Sequence, residues 1–233
     1  RGIGWCYDSG NHLPLIICWP KNFDTPPGYR PGKIDDRLVS LLDLTATTLG
    51  FAGIEKPAGM QSRVFLGPNV DPPRRYVFTH RDRHDEVVQR VRSVRSERYR
   101  YIRNYIPERP FMFYHGHQRA MYPVISLLDR LHKEGKLDAV QERLMAPRLP
   151  EEELYDLMND PHEINNLAAS DDPAHLRALA ELRAALNGWI EETGDRGMTA
   201  EPPELVQQWM RVMYDRWGYP PNEFKPPYVY GEP

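Results

Sequence analysis

The sequence predicts an α/β fold that leads into a small antiparallel sheet packed with helices, and three observations carry that prediction. Leu13–Trp19 is a continuous apolar run, the pattern of a strand buried on both faces inside a sheet. Short runs rich in Val, Tyr, Phe and Ile recur between residues 76 and 102, with turn residues between them, as antiparallel strands do. Leu176, Leu179, Leu182, Leu186 and Ile190 draw an apolar stripe along one face of a helix.

Each element has a local cause. Pro20-Lys21-Asn22 ends the first strand, and the stretch from Asp24 to Lys33, with Pro26, Pro27, Gly28, Pro31 and Gly32, is a loop. Leu38, Val39, Leu41, Leu42, Leu44 and Leu49 form an apolar segment in which Asp43 and Thr45 cap or begin a helix ending at Gly50 or Gly53. Tyr76–Thr79, Val91–Val94 and Tyr99–Ile102 read as three strands, with Ser96-Glu97 as the hairpin turn between the last two. Tyr122 to Leu131 is a helix with Val124, Leu127, Leu128 and Leu131 on one side, and Asp138 to Leu144 is a shorter one. Asp172-Pro173 is an N-cap followed by Pro at the first helical position, and the helix it opens stops near Gly194. The tail alternates prolines with aromatic residues and reads as a helix near Leu205–Trp217 followed by an extended arm. Residues 1–72 are thus the end of an α/β core, 73–195 a sheet subdomain with its covering helix, and 196–233 an aromatic, proline-rich tail.

Bulk properties narrow the partners. The chain has 233 residues, 40% of them hydrophobic, and a formal net charge of −3, so any anion site is local rather than a property of the whole surface. No run approaches the roughly 18 apolar residues of a membrane span, and no membrane partner is expected. The chain opens with Arg1 and shows no signal peptide, a start that reads as a cut, so the compartment is left open. Cys6 and Cys18 form one bridge or none, and their spacing matches no zinc pattern.

Glu153-Leu154-Tyr155-Asp156-Leu157-Met158-Asn159-Asp160-Pro161-His162-Glu163-Ile164-Asn165-Asn166-Leu167-Ala168 is the most distinctive stretch: a short strand, a turn started by Asp160-Pro161, and a polar lead-in to a helix. It resembles the C-terminal signature of the sulfatases. Tyr7-Asp8-Ser9-Gly10-Asn11-His12-Leu13-Pro14 is similar to a second element of that family, and Val39–Thr45 to a third, all in the family's order. His84-Asp85-Glu86 followed by Val91–Val94 looks closest to the sulfamidase-like branch and to related bacterial arylsulfatases.

The resemblance implies the end of an alkaline-phosphatase-like α/β core followed by a small C-terminal sheet domain. For the parent enzyme it also implies a formylglycine nucleophile, made from Cys or Ser in a Cys/Ser-x-Pro-x-Arg motif, and a calcium ion held by oxygen ligands. Neither cysteine lies in that motif, so the chain carries no catalytic residue and no metal ligands are assigned; alone it is expected to be inactive. The implied substrate is a sulfated small molecule or glycan, not nucleic acid, and a periplasmic or secreted parent is common among relatives. A related phosphoester or phosphonate hydrolase stays open as a third reading. Family members place a sulfate-contacting Lys four residues before the Tyr of the second element, where this chain has Ile3. Another cation in this branch, a frayed register or an impaired parent would account for it, in that order.

His80–Glu86 is expected to be a loop at a strand end, and in the resembling family this loop approaches the substrate mouth. His84 and Glu86 are therefore the substrate-binding candidates, set against a solvated charged loop. Between Arg81 and Arg103 there are eight Arg against four acidic residues, interleaved with Tyr99 and Tyr101. This pattern allows polyanion binding by a sulfated-glycan module, testable through Arg95 and Arg100, or else a solvated Arg face paired with residues such as Glu152 and Glu153. His115-Gly116-His117, two histidines two residues apart, reads as a loop rather than a metal site. His12 reads as a structural hydrogen-bonder.

Overall fold

A computed structural model describes residues 4–218. Ile3 and the extended arm of the tail lie outside the described residues. The centre is one four-stranded antiparallel meander, in the order β1 (Val77–His84), β2 (Val87–Arg95), β3 (Tyr99–Asn104) and β4 (Glu152–Asp156). The helices are α1 (Asp8–Asn11), α2 (Leu42–Phe51), α3 (Gly116–Met121), α4 (Pro123–Lys133), α5 (Ala139–Glu142), α6 (Pro173–Thr193) and α7 (Pro203–Trp217).

Period-2 alternation gives the sheet two different faces. Val94 pairs with Tyr101 and Tyr101 with Leu154, so these three form one row across β2, β3 and β4. That row packs on Leu179, Leu182 and Leu186 of α6. Asp172 caps α6 by accepting from the Ala174 N–H at 2.7 Å, and Gly194 ends it in the left-handed conformation, φ 59°. Leu176, at the start of the stripe, is half-exposed.

The opposite face carries Val91, Ile102 and Tyr155, and the N-terminal segment lies across it with Cys6 and Tyr7 buried. The two stretches that resemble the sulfatases meet here. Tyr7 donates its hydroxyl to the Glu153 carboxylate at 2.9 Å, and the Asp8 N–H donates to Glu163 Oε2 at 2.9 Å. Glu163 is buried in the left-handed region, φ 54°, at the end of the turn that Asp160 organises by accepting from the N–H groups of Ile164 and Asn165. Asn166 Oδ1 accepts from Leu154 N–H, tying that turn back to β4.

Residues 13–19 depart from expectation. The run is not a strand, and Leu13, Leu15 and Ile16 are 45%, 46% and 85% exposed. A strand buried on both faces needs a strand on each side, and the four described strands pair only among themselves. Its last residue, Trp19, packs on Phe51 and Tyr29. The helix expected after Leu38 is α2, with Asp43 as a buried hub that accepts from Ser40 N–H, Arg63 N–H and the Arg74 guanidinium. The apolar side expected on α4 faces outward, with Val124 53% and Leu127 41% exposed. Both cysteines are free. No helix among the described residues is long and apolar enough to cross a membrane.

Candidate functional site

The β1–β2 hairpin runs further than the sequence suggests. His80–His84 belong to β1, so the expected loop shrinks to Asp85-Glu86, and His84 pairs with Val87 across it. Asp tolerates the left-handed conformation that a two-residue hairpin turn requires, and Asp85 adopts it, φ 55°. A register irregularity between Arg81 and Arg83 bends β1 just before the tip.

The tip packs against the start of α3. Glu86 is buried, and its Oε1 accepts from the Gly116 N–H at 2.6 Å while Oε2 has no hydrogen-bond partner among the described residues. Burial pushes the Glu86 carboxyl above its ordinary range, against the Gly116 N–H, which lowers it. Gly116 is required by the close approach of α7: a Cβ there would lie 2.9 Å from Trp217 Cβ.

His115 is the N-cap of α3, with Nδ1 accepting from Gln118 N–H at 3.3 Å. It is 3% exposed, its ring centroid is 4.8 Å from that of His84, and its Nε2 lies 3.5 Å from Asp85 Oδ2. His84 Nδ1 and His115 Nε2 are both buried without a hydrogen bond among the described residues. Burial lowers both imidazoles, His115 to about 4, with His84 adding to the effect on His115 and Arg81 to the effect on His84, so both rings are neutral at pH 7. Arg81 itself is buried over the Trp5 ring at 4.5 Å and donates to Gly4 O at 2.8 Å. Burial brings it down to about 10. His117 turns aside to Trp217 and Tyr122.

The arginines of the hairpins do not form a solvated face. Arg92 and Arg100 are buried at 1% and 2% exposure. Arg92 is held between Asp82 and Asp195, Arg100 between Asp8 and Glu163, and Arg95 on Asp8, while Arg98 pairs with Asp156 and Arg83 with Glu201. The expected pairing of these arginines with Glu152 and Glu153 is also corrected: Glu152 binds Arg183 and the Tyr101 hydroxyl, and Glu153 accepts from Tyr7, Tyr155 and Asn104. Arg95 and Arg100, the two residues chosen to test polyanion binding, hold the molecule together from within.

The family model described as N-sulphoglucosamine sulphohydrolase, C-terminal, matches residues 4–146. The chain belongs to this family. An ulvan-active sulfatase of Formosa agariphila is 34% identical over 87% of this chain and 33% of its own length. The human N-sulphoglucosamine sulphohydrolase is 28% identical over 87% of this chain and 41% of its own length. The chain therefore spans about a third of the first of these relatives and two-fifths of the second. Among solved structures, a 2-O GAG sulfatase aligns with a TM-score of 0.46 at 24% identity, over 75% of this chain and 30% of that one. The sulfatase resemblance read from Tyr7–Pro14 and Glu153–Ala168 agrees with this membership, and the mixed helix and sheet architecture is as expected.

The formylglycine and calcium implied for sulfatases do not fit the residues here. Cys6 is buried under the sheet, its thiol pushed up by burial, and Cys18 is followed by Trp19-Pro20-Lys21 instead of the modification motif. Calcium takes six to eight oxygen ligands. The one group of metal-capable side chains among the described residues, His84, Asp85 and His115, offers two nitrogens and a single carboxylate. His84 ends β1 and Glu86 lies in the turn beside it; Glu86 reaches the Gly116 N–H and His84 the His115 ring. His115-Gly116-His117, expected to be a loop, instead opens α3, and nothing local in the sequence marks His115 as the neighbour of Asp85.

Proposed function

We propose that this chain is the C-terminal portion of a sulfatase, a hydrolase of sulfuric esters or sulfamates, and that it forms part of the substrate mouth without supplying the nucleophile. The family match over residues 4–146 carries the reading. The buried bonds from Tyr7 and Asp8 to Glu153 and Glu163 support it, because they make the two sulfatase-like stretches one unit. One relative is named for ulvan and another for N-sulphoglucosamine, so a sulfated sugar is the substrate class. His84, partly exposed at the hairpin tip, contacts the sugar, and Glu86, 1% exposed, supports the tip from beneath by accepting from the Gly116 N–H. Residues 1–72 belong with the catalytic core, and 73–195 with the small sheet domain that closes over it.

The purified chain should not turn over an aryl sulfate in the presence of calcium, and measurable turnover would overturn this. The genomic reading frame ahead of Arg1 should encode a Cys/Ser-x-Pro-x-Arg motif. Titration with N-sulphoglucosamine, followed by histidine NMR shifts, should move His84, and the response should vanish in His84→Ala. A spectrum that stays still would remove the hairpin tip from the mouth.

A further inference from the structure

The structure points to a transition-metal site of the zinc class, built from His84, Asp85 and His115, that fastens the β1–β2 tip to the first turn of α3. One nitrogen from each histidine and one Asp85 oxygen lie within 4.8 Å of one another. A tetrahedral zinc with ligands at about 2.0–2.1 Å sets its donor atoms roughly 3.3 Å apart. His115 Nε2 and Asp85 Oδ2, at 3.5 Å, already stand at that spacing. His84 brings a ring nitrogen within 4.8 Å of both, and its buried Nδ1 has no hydrogen bond to give up.

The donor set selects the ion. Two imidazoles and one carboxylate suit zinc and its borderline neighbours and disfavour calcium or magnesium, which want oxygen throughout. Neutral rings are the form a metal needs. Three protein ligands leave a fourth position, and the Asp85 side chain, 34% exposed, opens that position to water. Metal at His115 Nε2 moves the ring proton to Nδ1, and the long contact with Gln118 N–H is exchanged for a metal bond. The buried His84 Nδ1, without a hydrogen bond among the described residues, is otherwise costly, and a cation beside it removes that cost. The proposal shares His84 with the sugar-binding reading but rests on the geometry of the three side chains alone, and Asp85→Asn, outside that reading, tests it separately.

The test is competition between the full chain, stripped of metal, and a chromophoric chelator titrated with Zn2+ at pH 7.5. One equivalent per chain is expected, and Co2+ in its place should give the strong visible bands of a tetrahedral ion. His84→Ala and Asp85→Asn should each weaken Zn2+ binding at least tenfold while far-UV circular dichroism stays unchanged. His12→Ala and His162→Ala, at exposed positions, should bind as the parent does. Equal affinity in the parent and in both site variants, or displacement of Zn2+ by millimolar Ca2+, would overturn the proposal. His115→Ala also removes a helix cap, so the other two variants decide the outcome.

Discussion

Replacing Arg100 by Met tests whether the N-terminal segment is held to the sheet by charge. Arg100 is 2% exposed, donates to Cys6 O at 2.8 Å, and sits between Asp8 and Glu163, which are 11% and 1% exposed as side chains. Met fills much of the volume but takes the arginine from the buried Glu163 carboxylate and leaves Asp8 to Arg95. Breaking a buried pair from one side costs about 3–5 kcal/mol. For a chain of this size that lowers the melting temperature by roughly 6–20 °C, at about 2–4 °C per kcal/mol. Thermal unfolding followed by near-UV circular dichroism reads the shift. Arg98→Met, which removes a partner of Asp156 from a half-exposed position, should move the midpoint by no more than about 4 °C. If Arg100→Met moved it as little as Arg98→Met, the charge lock would be wrong and apolar packing of Cys6 and Tyr7 would be the holding force.

Leu182→Ala, at a fully packed position of α6, should cost about 2–5 kcal/mol in urea unfolding. Asp172→Ala should cost about 1 kcal/mol through loss of the α6 cap, and Asp172→Asn should restore most of it. Gly116→Ala should separate α3 from α7, seen as faster amide exchange in α7, because the added methyl collides with Trp217. Asp195 and Asp156 are held below the ordinary carboxylate range by Arg92 and Arg98 respectively, and Glu152 by Arg183. The unfolded chain therefore binds more protons in acid, so stability is complete above the ordinary range and is lost as pH falls through the folded-state values. A pH series should show this loss below about pH 4, and a smaller one in Asp195→Asn.

Local chemistry made the sheet and α6 legible. Valine and tyrosine alternation marked β1, β2 and β3, Asp172-Pro173 and Gly194 marked both ends of α6, and Asp160-Pro161 marked the turn after β4. The misreading of residues 13–19 came from the same rule: an apolar run states that burial is wanted, not which strands stand beside it. The arginine-rich hairpins misled for a different reason. Composition shows charge, but only the pairing of Arg100 with Asp8 and Glu163, far away along the chain, shows that the charge is inside. The hairpin tip was half legible. His84 and Glu86 followed from the family resemblance, whereas His115 reaches them only because Glu86 binds the amide of Gly116.

The bond from Asp8 to Glu163 spans 155 positions and fixes a schedule for synthesis. A ribosome adding about 5–20 residues per second delivers Glu163 roughly 8–30 s after Asp8. Through that interval Cys6 and Tyr7 have left the tunnel but have no place to dock, since β4 and its turn have yet to be made. Until the Glu163 turn is made, the segment around Cys6 and Tyr7 exposes apolar side chains that a holding chaperone would cover.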